Sequence, residues 1–300
     1  MKIINLLKKY QNGNYQVSIF SDGTKIRRTE ENEFIPSLPE SIDLKITNCC
    51  DKGCPMCHEN SKSDGKHGNI NHPFINSLQA GTELAIGGGN PLEHPDLLSF
   101  LTKLKEKGII ANMTVNQDHL FANLPLIEKM MAEKLIYGLG ISVTSPDLPL
   151  ISFCQKHDNA VLHLIAGYHE LDVFRNLGKK RVKILILGYK QFGRGKKYYS
   201  PQIQMHIDSL EKEISNLASD FKIVSFDNLS LEQLKIKNKV SEEVWKNHYM
   251  GGDGQYTMYI DLIDEKFASS STSEHRYAIL DNIQDMFSFI RRKTLGQPSN

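Results

Sequence analysis

The sequence contains no uninterrupted apolar run of the roughly 20 residues that a helix needs to cross a bilayer, which excludes a transmembrane helix. Its start, Met1 to Tyr10, places Lys8 and Lys9 inside the stretch a secretory signal would need apolar, so no signal peptide is expected. There is almost no excess of charge: 36 Lys and Arg against 35 Asp and Glu give a net +1, which argues against a surface built wholly for polyanions. Cysteine is also scarce. Of five, Cys50, Cys54 and Cys57 crowd into one short run, so they do not form a disulfide framework, and the reducing cytoplasm is the expected location. No internal repeat and no long low-complexity tract occurs; Ser269–Thr272 is only a short polar loop.

What is present is ordinary for a soluble globular protein, with 40% apolar and 24% charged residues. Three hundred residues suffice for one large α/β barrel or two modest domains. Tyr15–Phe20 and Thr24–Arg28, joined across Asp22-Gly23, predict a β-hairpin, and Pro36 and Pro39 separate it from the rest of the chain. From Ser41 onward strands and helices alternate. Strands are predicted at Ile42–Thr47, Glu83–Ile86, Ile109–Val115, Gly138–Val143, Ala160–Ile165 and Arg181–Leu187. Helices are predicted near Pro73–Ala80 and at Asp96–Lys107, Leu126–Lys134, Leu148–Lys156 and His169–Leu177. In Asp96–Lys107, Leu97, Leu98, Leu101 and Leu104 share a face, and Gly108 stops the helix. Six successive β/α units imply a parallel sheet with right-handed crossovers, fewer than the eight of a closed barrel. The predicted fold is therefore α/β: a laterally open, partial (β/α)6 TIM-like barrel. Residues 1–40 form an N-terminal extension with the β-hairpin and 41–200 the barrel core. Residues 201–300 form an α/β region that completes or caps the barrel, with a helix at Ile203–Ser219, a strand at Lys222–Phe226, a hairpin at Tyr256–Leu262 and Lys266–Ser270, and a closing helix at Ile279–Arg292.

Directly after the first barrel strand, Cys50, Cys54 and Cys57 are spaced C-x3-C-x2-C. Three thiolates leave a metal site one ligand short, as a reactive centre requires and a structural one avoids. They can hold three irons of a [4Fe–4S] cluster and leave the fourth open. Other readings of the same residues are a Cys3His zinc site completed by His58, a thioredoxin-like Cys54-Pro55-Met56-Cys57 pair, and plain buried cysteines.

The loop resembles the signature of the radical S-adenosylmethionine (SAM) superfamily. Gly87-Gly88-Gly89-Asn90-Pro91 resembles that family's Gly-Gly-Glu-Pro segment after the second strand, with Asn90 where glutamate is usual; no Walker lysine comes after it to make it a phosphate cradle. Ile165-Ala166-Gly167-Tyr168-His169-Glu170 resembles the Ile-x-Gly-x-x-Glu segment after the fifth strand. The resemblance covers about Ile42 to Tyr189. It implies that Cys50, Cys54 and Cys57 hold the cluster and that SAM meets Met56, Gly88, Gly89, Asn90, Asn116, Ser142, Ile165 and Gly167. It further implies reductive cleavage of SAM to a 5′-deoxyadenosyl radical that abstracts hydrogen from a substrate, with electrons from an external one-electron reductant such as flavodoxin or ferredoxin.

Candidate substrate contacts at the same rim are Thr144, His163, Tyr168, His169, Tyr189 and Lys190. The segment Lys190–Tyr199 carries Lys190, Arg194, Lys196 and Lys197 among three aromatics and no acid, as a loop gripping an anion would. Cys154, on a helix with Leu150 and Ile151, reads as a buried core thiol, with the remote hydrogen-donating thiol of some members of that family as the alternative. Besides Cys154 only Cys49 remains, so no auxiliary cluster is expected. A peptide or amino-acid-like substrate is favoured, a nucleotide or nucleic acid is the alternative, and a non-catalytic metal-binding regulator on the same fold is a reading of another class.

Overall fold

The computed structural model describes residues 4–295; residues 1–3, the start of the N-terminal stretch read above, and the last five residues of the C-terminal region lie outside them. The chain opens with a three-stranded antiparallel meander, β1 (Leu6–Asn12), β2 (Tyr15–Phe20) and β3 (Lys25–Arg28), so the extension holds one strand more than the predicted hairpin. Lys8 and Lys9 break the alternation of β1, which conceals it in the sequence. The turn between β2 and β3 is the predicted Asp-Gly one, closed by Asp22 Oδ1 accepting from the Thr24 amide at 3.0 Å.

Among the described residues, ten further strands form one sheet. Its parallel core runs β4 (Ser41–Thr47), β5 (Glu83–Gly88), β6 (Ile110–Asn116), β7 (Gly138–Ser142), β8 (Ala160–Ile165), β9 (Lys183–Leu187) and β10 (Ile223–Phe226), each beside its predecessor. On the other side of β4, β11 (Thr257–Asp261) pairs parallel, with Tyr259 opposite Asp43, and β12 (Lys266–Ala268) and β13 (Tyr277–Ala278) extend the sheet antiparallel. The six predicted core strands are β4 to β9; β10 and β11 bring the parallel strands among the described residues to eight. The C-terminal region completes the sheet at both edges: β10 extends it beyond β9, and the predicted second hairpin docks beside β4.

The helices are α1 (Leu97–Glu106), α2 (Gln117–Ala122), α3 (Leu124–Ala132), α4 (Leu148–Lys156), α5 (Leu171–Gly178), α6 (Arg194–Tyr198), α7 (Pro201–Leu217), α8 (Asn228–Gln233), α9 (Glu242–His248) and α10 (Ile283–Leu295). Pro73–Ser77 is a 3-10 turn rather than a helix. On α1 the buried set is Leu97, Phe100, Leu101 and Leu104, while Leu98 points to solvent. Strand alternation divides the sheet into two faces. Ile42, Leu44, Leu84, Ile86, Met113, Leu139, Ile141, Leu162, Leu164, Ile184 and Ile186 enter the main core, each burial contributing about 1.5–3 kcal/mol. Their alternates, among them Asp43, Lys45, Asn112, Thr114, His163 and Lys183, turn to the inner face.

That inner face encloses a cavity of about 480 Å3, lined from β5 to β10 and floored by Ile19–Gly23 of the meander. The meander is fastened to the sheet by a buried ionic cluster. Glu40, 1% exposed, accepts from Arg27 Nε at 2.7 Å and Tyr15 OH at 2.6 Å and pairs with Lys25 at 3.2 Å. A small second core of Tyr15, Val17, Ile19, Ile110 and Tyr256 seals the same junction.

Candidate metal centre

At the C-terminal end of β4 the chain leaves the sheet as a long loop lashed back on itself. The Asn48 amide donates to Lys66 O at 3.0 Å, Lys62 N to Asn48 O at 3.0 Å, and Cys50 N to Lys62 O at 2.9 Å. The hydroxyl of Thr47 adds a bond to Lys66 O at 3.1 Å and accepts from the Cys49 amide. The protein's own hydrogen bonds therefore shape the loop. It carries Cys50, Cys54 and Cys57, all half-buried. Burial and the neighbouring thiols Cys54 and Cys57, with Asp51, push the Cys50 thiol up; burial and Cys57 do the same to Cys54. Thiols held on one loop, two of them raised by burial and by their neighbours, suit a cation able to take thiolates.

The other sulfurs stand apart. Cys49 Sγ donates to Ser63 O at 3.3 Å, and Cys154 is buried on α4, where burial pushes its thiol up to about 12. His58, the candidate fourth zinc ligand, has its Nε2 3.2 Å from Glu59 Oε1, so that nitrogen is engaged by a carboxylate. Cys50, Asp51 and His119 bring their donor atoms within 4.8 Å of one another, but His119 and Asp51 are already hydrogen-bonded to each other at 2.6 Å with Asp51 largely exposed.

The glycine segment runs beside this loop. Gly89 N donates to Thr47 O and Asn90 N to Cys49 O, both at 2.7 Å. A Cβ at Gly88 would overlap Thr47 O and one at Gly89 would overlap Cys49 O, so these two glycines let β5 press against the cysteine loop. Around Gly87, by contrast, nothing lies within 4 Å of a would-be Cβ. Gly87 is thus the residue of this run with open space beside it, and the motif reading did not name it as a SAM contact. Asn90 is buried, its Oδ1 capping the Leu92 amide at 3.3 Å and its Nδ2 3.3 Å from Glu93.

Asn116, Ser142 and His163 lie side by side in register across β6, β7 and β8. Asn116 also caps α2 through Asp118 N and donates to Thr144 Oγ1 at 3.2 Å. Burial, then the charge of Lys190, lowers the His163 imidazole to about 4. Ile165 faces inward at the end of β8. Gly167, with φ +84°, packs on α7: a Cβ there would meet Ile203 and Ile207 at about 2.8–2.9 Å. Two substrate candidates have structural work instead. His169 accepts from Ile165 N at 2.9 Å and reaches Val143 O at 3.0 Å, and Tyr189, 2% exposed, donates to Gly195 O at 2.9 Å. Tyr168 lies near the cysteines, its phenol pushed up by burial and then by Cys54.

The basic segment is not an open loop. Arg194 is turned inward, Nε donating to Cys54 O at 2.9 Å and Nη1 to Ser61 O at 2.6 Å, leaving Lys196 and Lys197 exposed. Met56 sits beside it, its carbonyl 3.0 Å from a would-be Cβ at Gly195.

Sequence reading missed a buried ionic network under the loop. Lys45 Nζ lies 3.0 Å from both Glu59 and Asp261, Tyr259 OH reaches Glu59 at 3.2 Å, and Arg276 approaches Asp261 at 3.8 Å. Its signal was available: Asp43 and Lys45 stand at alternate positions of an otherwise apolar strand.

Sheet and loop together define a class of fold: an open, mostly parallel α/β sheet bearing a three-thiol loop at the end of a central strand. Solved structures share the α/β architecture. Streptococcus suis SuiB bound to precursor peptide SuiA matches with a TM-score of 0.59 at 15% identity, over 84% of this chain and 65% of that one. SuiB bound to S-adenosylmethionine matches at 0.54 and 15%, over 84% and 64%, and SuiB by itself at 0.56 and 12%, over 90% and 83%. This chain thus spans slightly under two thirds of the two ligand-bound chains, and the likeness is one of fold. No protein-family model matches the sequence, and no curated protein matches it.

Proposed function

We propose that this chain is a radical SAM enzyme acting on a peptide or amino-acid-like substrate. The observation that carries the reading is the placement of Cys50, Cys54 and Cys57, all half-buried, on one hydrogen-bonded loop at the C-terminal end of β4, close enough for Cys54 and Cys57 to raise the Cys50 thiol. A [4Fe–4S] cluster with SAM, when bound, supplies the one-electron cleavage that yields a hydrogen-abstracting 5′-deoxyadenosyl radical. In this reading the three cysteines ligate the cluster. Gly87 leaves space for SAM, Gly88, Gly89 and Asn90 seat the loop that meets it, and the Met56 main chain, Asn116, Ser142, Ile165 and the backbone at Gly167 form its remaining walls. The inner face from His163 to Lys190 orients the substrate and excludes bystander hydrogens. The reading includes the partial barrel as its frame, residues 1–40 and 201–300 as its floor and completion, a cytoplasmic setting and a flavodoxin- or ferredoxin-like reductant.

The peptide preference is supported by the fold shared with SuiB, which was solved with a precursor peptide. The nucleic-acid alternative loses support because Arg194, the centre of its basic loop, is spent on the carbonyls of Cys54 and Ser61. Anaerobic purification and reconstitution test the proposal. About four irons per chain and 5′-deoxyadenosine formed from SAM under reduction are expected. Colourless protein holding one zinc would instead support the regulator reading.

A further inference from the structure

The segment after β9 is fixed at both ends. Behind it, the main chain of Tyr189 is held by Gln233, which donates to Tyr189 O at 3.0 Å and accepts from Tyr189 N at 2.8 Å, while Tyr189 OH donates to Gly195 O. In front of it, the Arg194 amide donates to Cys57 O at 3.0 Å and the Arg194 guanidinium to the carbonyls of Cys54 and Ser61. Three bonds from one residue therefore span the loop from Cys54 to Ser61. The flanking glycines make the approach feasible. A Cβ at Gly193 would meet His58 O at 2.6 Å and Cys57 O at 2.9 Å, and one at Gly195 would overlap Lys190 O and meet Met56 O at 3.0 Å. Any side chain at either position would push the segment off the cysteine loop.

We infer that Gly193-Arg194-Gly195 is a brace that sets the positions of Cys54 and Cys57, with Arg194 as the positioning residue. This rests on the proposed function for what the cysteines hold, but not for the brace itself. A guanidinium suits the task because its planar fork reaches two carbonyls at once, which a lysine ammonium cannot match in geometry. The brace also links the β9 end to the cysteine loop, through Tyr189 OH on Gly195 O on one side and Arg194 on Cys54 O and Cys57 O on the other.

Two measurements on Arg194→Gln and Arg194→Lys test it. In metal-free protein, hydrogen exchange should accelerate by about tenfold or more across Cys54–Ser61, where the guanidinium bonds are lost, while the β4–β8 sheet stays protected and the melting curve stays cooperative. Free guanidinium ion should restore protection to Arg194→Ala. In reconstituted protein, the electron paramagnetic resonance spectrum and midpoint potential of the reduced cluster should shift in Arg194→Gln while iron content is at least partly retained. Unchanged exchange in both variants overturns the brace. Wild-type protein that takes up no iron overturns the functional proposal, and the exchange measurement still decides the brace.

Discussion

Adjacent glycines of one run do different jobs, and their surroundings separate those jobs. Gly89 is pinned: its amide donates to Thr47 O, and any Cβ would overlap Cys49 O. Backbone cannot swing aside as a flexible side chain does, so Gly89→Ala should destabilise the fold by about 2 kcal/mol or more and displace the cysteine loop. Gly87 faces open space, so Gly87→Ala should leave stability almost unchanged. If SAM occupies that space, the same methyl group should weaken its binding. Urea unfolding of both variants, with calorimetric titration of SAM into reconstituted Gly87→Ala, separates the cases. Equal destabilisation by the two substitutions would refute the division, and unimpaired SAM binding by Gly87→Ala would remove Gly87 from the site.

At the scale of elements, the six central strands and the Cys50–Cys57 loop were legible because each strand carries an apolar core face and because cysteine spacing is a local property. What escaped depends on partners distant in sequence. Nothing local says that β11 will pair with β4 across 216 residues, or that Lys45 will then meet Asp261. Gly167 reads as ligand space in a motif but abuts α7, and Arg194 reads as part of an exposed basic loop but is consumed by carbonyls. The β4–β11 pairing carries a testable cost. Lys45 lies between Glu59, held well below the usual carboxylate range by His58 and Lys45 against the burial that raises it, and the buried Asp261. Lys45→Met strands two buried acids and should cost about 3–5 kcal/mol, whereas Lys45→Met with Glu59→Gln and Asp261→Asn should cost clearly less, because no uncompensated charge remains. Chemical denaturation of the single and triple variants measures the difference. A triple variant as unstable as the single one would show that shape, not charge compensation, governs the network.

Across the whole molecule, the inner face and the floor respond to acid in windows of different sign. His163 falls from 6.5 to about 4 on folding, through burial and the Lys190 charge. Between those values the unfolded chain binds more protons than the folded one, so stability is full above pH 6.5 and falls as the pH drops toward 4, by at most about 3 kcal/mol for this group. His169, also lowered by burial, acts in the same direction. Asp43 is exposed to the inner space; the surrounding sheet raises it from 3.8 to about 6, chiefly by desolvation, so its contribution runs the other way and improves as the pH falls through 6, and water at the exposed carboxylate keeps that contribution small. Glu40 at the floor is shifted down by Lys25, Arg27 and Tyr15 against its desolvation, and its stabilisation is lost only below about 4.5. Unfolding free energies from pH 7 to pH 4 should therefore show wild type losing about 2–3 kcal/mol relative to His163→Gln, and a small advantage of Asp43→Asn over wild type at pH 7 that shrinks on acidification. Parallel profiles for wild type and His163→Gln would mean that the ring is hydrated by an inner space open to bulk water. Substrate would then meet a wet cavity instead of the desolvated one on which selective hydrogen abstraction depends.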